Sequence, residues 1–150
     1  MIEQRGDFWQ IVDALDKPVI ICVTTNGVVK KSGDLVMGKG IALQFAKRFP
    51  GLPLLLGEKV ALYGNIVHLI ITPDYRHTIA SFPTKHNWRD DSSLSLIEKS
   101  AMLLEQLVTE HNKNAYLTRP GCGNGNLSWE QQVKPILEKR WNDRFHIITN

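Results

Sequence analysis

Apolar and polar positions follow two rhythms along this chain. Val19-Ile20-Ile21-Cys22-Val23 is an unbroken apolar run rich in β-branched residues, the pattern of a strand buried on both faces. From Gly38 to Phe49 the period becomes helical: Ile41, Ala42, Phe45 and Phe49 share one stripe, and Pro50-Gly51 ends it. Leu52 to Leu62 reads as a second, shorter helix. Asn65 to Thr72 and Thr78 to Phe82 read as strands that can form a hairpin across Pro73-Asp74-Tyr75-Arg76. The clearest helix starts near Asp91, with Leu94, Ile97, Ala101, Leu104 and Val108 on one face and Asp90, Asp91, Ser92 and Ser93 as N-cap candidates. Ala115 to Thr118 is a short strand. Ser128 opens a last helix, where Gln131 completes a capping-box pattern and Val133, Ile136, Leu137, Arg140 and Trp141 form the inner stripe. Phe145 to Ile148 closes the chain as a strand.

Strands alternating with amphipathic helices predict an α/β fold, a three-layer α/β/α sandwich, over residues 1–150 as one domain. In such folds ligands sit beyond the carboxyl ends of central strands. That rule selects the loops after Val23, Phe82 and Thr118.

Composition changes the picture only modestly. A chain of 150 residues builds its own core without staples. The net charge of +3 permits a polyanionic ligand or nucleic acid without demanding one. No window has the apolar length of a membrane span, and Met1 to Asp7 lacks a signal-peptide core, so a cytoplasmic location and no membrane partner are expected. Cys22 and Cys122 form no metal-spaced pair, the five histidines are scattered, and neither a metal site nor a cofactor is expected.

The three selected loops carry the candidate chemistry. In the first, Thr25-Asn26 leaves the strand, and Met37-Gly38-Lys39-Gly40-Ile41-Ala42 enters a helix. Glycines there let the backbone approach a ligand, free helix N–H groups attract an anion, and Asn26 is placed to meet a ribose hydroxyl. The same residues also fit a plain tight turn. In the second, Pro120-Gly121-Cys122-Gly123-Asn124-Gly125 puts three glycines among small residues before a helix, which suits a concave nest of N–H groups or a flexible connector. Cys122 lacks a nearby histidine in sequence and reads as a small packed residue rather than a nucleophile. In the third, Phe82-Pro83-Thr84-Lys85-His86-Asn87-Trp88-Arg89 follows a strand end. Lys85 there is a phosphate-binding charge, a nucleophile or base, or a solvated surface group. Trp88 shields that lysine, stacks on a base, or caps the core.

Taken in order, these loops resemble the macrodomain family. Thr25-Asn26 with Met37–Ala42 is similar to its ribose-and-phosphate loop, Pro120–Gly125 to its second phosphate loop, and Gly6-Asp7 to the Gly-Asp whose carboxylate meets the adenine amino group. The resemblance spans nearly the whole chain and implies a mixed central sheet and an ADP-ribose ligand. Met-Gly-Lys-Gly-Ile-Ala-Leu-Gln-Phe and Phe-Pro-Thr-Lys-x-x-Trp-Arg are most similar to the branch of terminal ADP-ribose glycohydrolases and DNA-directed antitoxin macrodomains. That branch implies Lys85 as the catalytic group at the anomeric carbon of the distal ribose, an ADP-ribosylated DNA or protein substrate, and a toxin partner. A reader that only binds ADP-ribose, a phosphatase of phosphorylated ADP-ribose and an unrelated RNA-binding domain are the competing functions.

Two departures stand out. The segment from Thr24 to Gly38 is longer than the usual loop and carries Lys30, Lys31 and Asp34, an insertion expected to reshape the distal ribose pocket. The second loop has no carboxylate where protein-directed enzymes carry an aspartate, which favours nucleic acid as substrate.

Overall fold

The apolar run at Val19 predicts a doubly buried strand, and in the computed structural model, which describes residues 1–150, it forms β2 (Ile20–Thr25) in the middle of the sheet. Its side chains alternate between two cores: Ile20 and Cys22 enter one, Ile21 and Val23 the other. The remaining strands are β1 (Ile2–Arg5), β3 (Leu69–Ile70), β4 (Thr78–Pro83), β5 (Ala115–Thr118) and β6 (Phe145–Thr149). They assemble in the order β1-β6-β5-β2-β4-β3. All neighbours are parallel except β3 with β4, so the sheet is mixed.

Each face of the sheet carries helices. On one side lie α4 (Leu94–His111) and α5 (Lys134–Glu138), whose Ile97, Ala101, Leu104 and Leu137 pack on Cys22, Phe82 and Leu117. On the other lie α1 (Phe8–Asp13), α2 (Gly40–Arg48) and α3 (Leu52–Tyr63), whose Val12, Phe45 and Leu56 pack on Ile21, Val23 and Ile79. Full burial of side chains such as Phe45, Leu56 and Ile97 contributes roughly 1.5–3 kcal/mol each. The three-layer α/β/α prediction holds, and the predicted stripes of α2 and α4 face the sheet; of the last helix's expected stripe, Val133, Leu137 and Trp141 enter the core, whereas Ile136 and Arg140 do not and Arg140 pairs with Glu105 at 3.6 Å.

Several local expectations change. The apolar pattern predicts neither β1 nor α1: β1 has one apolar residue in four and exists because its backbone pairs with β6, from Ile2↔His146 to Arg5↔Thr149, while α1 is apolar at Phe8, Trp9, Ile11 and Val12 but too short for a helical stripe to stand out. The predicted strand at 65–72 shrinks to Leu69–Ile70, since part of its edge bonding passes through Ser81, whose Oγ accepts from His68 N at 2.8 Å. The last helix is not continuous. A π-helical turn over Trp129–Val133 precedes α5, and Pro135, which has no N–H to donate, sits in the first turn of α5. Ser128 Oγ accepts from Gln131 N as expected, but Ser128 N in turn donates to Gln132 Oε1 at 2.9 Å, not to the Gln131 side chain. Trp141 lies beyond the helix end and is still buried, donating its indole N–H to Ala101 O at 3.1 Å.

Candidate functional site

Because β2, β4 and β5 run parallel, their carboxyl ends lie side by side. A cleft of ≈ 1410 Å³ opens above them, and all three selected loops line it. Its size exceeds the usual range for drug-sized ligands.

The first loop splits into two parts with different tasks. Asn26 is buried, and its amide braces the loop: Nδ2 donates to Val36 O and Oδ1 accepts from Val28 N, both at 2.9 Å. The amide keeps its second N–H and a second oxygen lone pair, and Asn26 lines the cleft. Residues 27–35 fold into a small hairpin, with Val36 N donating to Val28 O and Lys30 N to Asp34 O. It docks on α3 through Leu35, whose N–H reaches Pro53 O at 2.8 Å. Lys30, Lys31 and Asp34 sit in this hairpin and do not line the cleft. The hairpin thus carries these three residues outside the cleft lining, packed on α3. Val36 to Ala42 returns to the cleft. Lys39 caps α2 without a side-chain hydrogen bond, which leaves the first N–H groups of the helix open to an anion.

The second loop is held from behind by the entry to α4. Ser92 N donates to Gly125 O at 3.0 Å, and Asn126 Nδ2 to Asp91 Oδ1 at 2.8 Å. Gly121, Cys122, Gly123, Asn124 and Gly125 all line the cleft; Pro120 is buried beneath them and does not. Gly121 has φ +78°, a conformation that favours glycine. A Cβ on Gly40, at φ +57°, would stand 3.1 Å from Asn124 Nδ2, so the two glycine loops touch across the cleft. Burial pushes the Cys122 thiol up to about 11, against a smaller opposing pull from Arg119. The thiol is half-buried, with Sγ 3.4 Å from Pro120 O.

Lys85 joins the loops. Its backbone N–H and that of Thr84 reach Thr25 O at 3.4 and 3.0 Å, and its carbonyl accepts from Asn65 Nδ2 at 2.9 Å. The side chain crosses to the second loop, where Nζ lies 3.1 Å from Asn124 O and 3.5 Å from Trp88 O. The partner that the second loop offers Lys85 is thus the main-chain carbonyl of Asn124, in a loop without a carboxylate.

Asp7 lies at the far end of the cleft and caps α1, its Oδ1 accepting from Gln10 N at 2.9 Å. Near it the cleft is also lined by Trp9, Arg119, Trp129, Thr149 and Asn150, none of which the loop motifs singled out. The strand-end rule identifies Thr149 and Asn150 once β6 is known to join the parallel set. Arg119 lies over the Trp129 ring at 5.2 Å, and both meet Glu3. The Lys134 ammonium, 2.8 Å from Glu3, holds that carboxyl below its usual range against the opposing effect of burial, and the Trp129 N–H assists. Lys134 rises correspondingly through the same bond.

A mixed parallel-rich sheet between helix layers, with two glycine loops and a lysine gathered at the strand ends, defines a three-layer α/β/α protein with one large cleft above its central strands. Similarity makes this more specific. The structure described as the macrodomain of Mycobacterium tuberculosis DarG superposes with a TM-score of 0.78 at 29% identity, covering 99% of this chain and 97% of that one. The macrodomain of Thermus aquaticus DarG gives 0.74 at 27% identity, with the same coverage. A curated relative from M. tuberculosis named DNA ADP-ribosyl glycohydrolase is 37% identical over 109 residues, and one from T. aquaticus with the same name is 31% identical over 136. No family model matches the chain. The chain belongs to the macrodomain family. The matches cover 68% and 83% of this chain but 31% and 36% of those two relatives, so it spans about a third of their length.

Proposed function

We propose that this macrodomain is an ADP-ribosyl glycohydrolase that releases ADP-ribose from DNA, with Lys85 as the nucleophile. The adenine lies toward Asp7, the diphosphate between the glycine loops at Gly38–Ala42 and Gly121–Gly125, and the distal ribose toward Lys85. Oriented N–H groups then stabilise the diphosphate charge without a metal. The Lys85 amine attacks the anomeric carbon as the bond to the DNA base breaks. The electron pair leaves with the base nitrogen, which takes up the proton that the amine loses. Water then cleaves the sugar–lysine bond, giving free ADP-ribose and restoring the amine.

One observation supports this most: the Lys85 Nζ is held 3.1 Å from Asn124 O, at the junction of two loops shaped for phosphate. The relatives' printed names point to the same substrate. The reaction also calls for a partner enzyme that attaches ADP-ribose to DNA, the toxin of the antitoxin branch. We place it in the cytoplasm, where the free Cys22 and Cys122 stay reduced.

The test compares wild type with Lys85→Ala on an ADP-ribosylated oligonucleotide and on free ADP-ribose. Release is expected to fall by on the order of 10³-fold or more, while the ADP-ribose Kd changes only a few-fold. Tight binding with no release by the wild-type protein would make the chain a reader instead.

A further inference from the structure

Four tryptophans are present, and three have a packing role. Trp129 and Trp141 lie in the core beneath α4 and α5, and Trp9 packs against the opposite core. Trp88 belongs to neither core and is 44% exposed. It lines the cleft, and its own carbonyl is 3.5 Å from Lys85 Nζ.

The turn that presents it is firmly built. Gly27 N donates to His86 O at 3.1 Å, Asn87 Oδ1 accepts from Arg89 N at 3.0 Å, and Asp90 N reaches Asn87 O at 3.1 Å. The Arg89 guanidinium lies 4.9 Å from the centroid of the Trp88 ring. A large aromatic surface, carried by an ordered turn and backed by a cation, thus lines the cleft on the residue whose carbonyl faces the Lys85 amine. Burial of apolar surface does not account for it, because Trp88 buries less than its three counterparts.

From this arrangement we infer that Trp88 is the stacking platform for the nucleobase that carries the ADP-ribose, with Arg89 bracing the ring. The inference rests on the reading of Lys85 as the nucleophile. The leaving base is bonded directly to the carbon that Lys85 attacks, so it lies at this end of the cleft. An aromatic face meets any base through its π surface, which sets a preference for DNA conjugates over amino-acid conjugates at the same anomeric carbon.

The experiment separates binding from turnover. Trp88→Ala, Trp88→Phe and wild type are each prepared on a Lys85→Ala background, so that no substrate is consumed. Affinity is measured for free ADP-ribose and for a short single strand bearing one ADP-ribosylated base. Trp88→Ala is expected to weaken the conjugated strand by roughly five- to a hundred-fold and free ADP-ribose by less than twofold. Trp88→Phe is expected to recover most of the loss. Equal affinity of all three forms for the conjugated strand would overturn the inference, and so would a parallel loss for both ligands. Failure of the wild-type protein with Lys85 intact to release ADP-ribose would instead sink the catalytic reading, while the binding comparison would still report on Trp88.

Discussion

Gly123 and Gly125 stand two residues apart and answer to different constraints. A Cβ on Gly125 would collide with Ser92 Oγ and the Gly121 carbonyl behind the loop. A Cβ on Gly123 would meet nothing within 4 Å and would point into open space at the cleft. Gly125→Ala is therefore expected to cost about 1–3 kcal/mol of stability, as overpacking does, which a thermal melt reads directly. Gly123→Ala is expected to keep the wild-type Tm and to weaken ADP-ribose in a titration, because its methyl group occupies ligand space. A Gly123→Ala variant that binds as well as wild type would place the diphosphate elsewhere. His77 carries a second prediction at this scale. It is buried, with Nδ1 accepting from Val19 N at 3.0 Å and Nε2 facing Val12 O at 2.8 Å, which fixes the neutral tautomer. Burial lowers its pKa from the ordinary 6.5. The unfolded chain then takes up the proton more readily than the folded one. The contribution of His77 is complete above about 6.5 and is lost as pH falls toward the folded value. His146, shifted the same way by burial and stacked on Tyr116, adds to the trend. A falling Tm between pH 7 and pH 5 is expected, and His77→Gln should flatten part of that slope.

At the scale of elements, the hairpin at 27–35 and α3 behave as one unit. Gly57 of α3 faces the Gly33 carbonyl so closely that any Cβ would overlap it. Alanine is the better helix former by about 1 kcal/mol, yet backbone overlap at this contact costs up to about 3 kcal/mol. Gly57→Ala is accordingly expected to lower the Tm while leaving the ADP-ribose Kd unchanged, since the hairpin does not line the cleft. A higher Tm would show that the hairpin yields easily. What could be seen in the sequence follows the same division. The loops at Gly38–Ala42 and Gly121–Gly125 were legible because unobstructed backbone has a compositional mark, and β2 because a doubly buried strand is apolar throughout. The docking of Lys30 to Asp34 away from the site was hidden, because it depends on tertiary contacts with α3, at Gly57 and between Leu35 N and Pro53 O. β1 was hidden because strand pairing uses backbone groups that every residue possesses. With β1 went the expectation of a cleft end built from both chain termini, where Asp7 could be read from its motif but Thr149 and Asn150 could not.

Over the whole molecule, charge limits how DNA can be held. A net charge of +3 is spread over 18 basic and 15 acidic residues. The cleft rim near the proposed base platform offers Lys39, Lys85 and Arg89, but Asp90 and Asp91 stand beside them. Such a surface makes at most about two useful phosphate contacts, so affinity for a conjugated strand has to come from the ADP-ribose in the cleft and from stacking at Trp88. Counterion release gives a slope of about −0.7 per phosphate contact for single strands, so a tenfold rise in salt should weaken the conjugated strand by no more than about 25-fold. Strands that lack ADP-ribose should compete poorly even at low salt. Titrations across that salt range test both statements together. A log–log slope of about −3 or steeper would mean four or more phosphate contacts, and DNA recognition would then belong to an extended basic track rather than to the cleft.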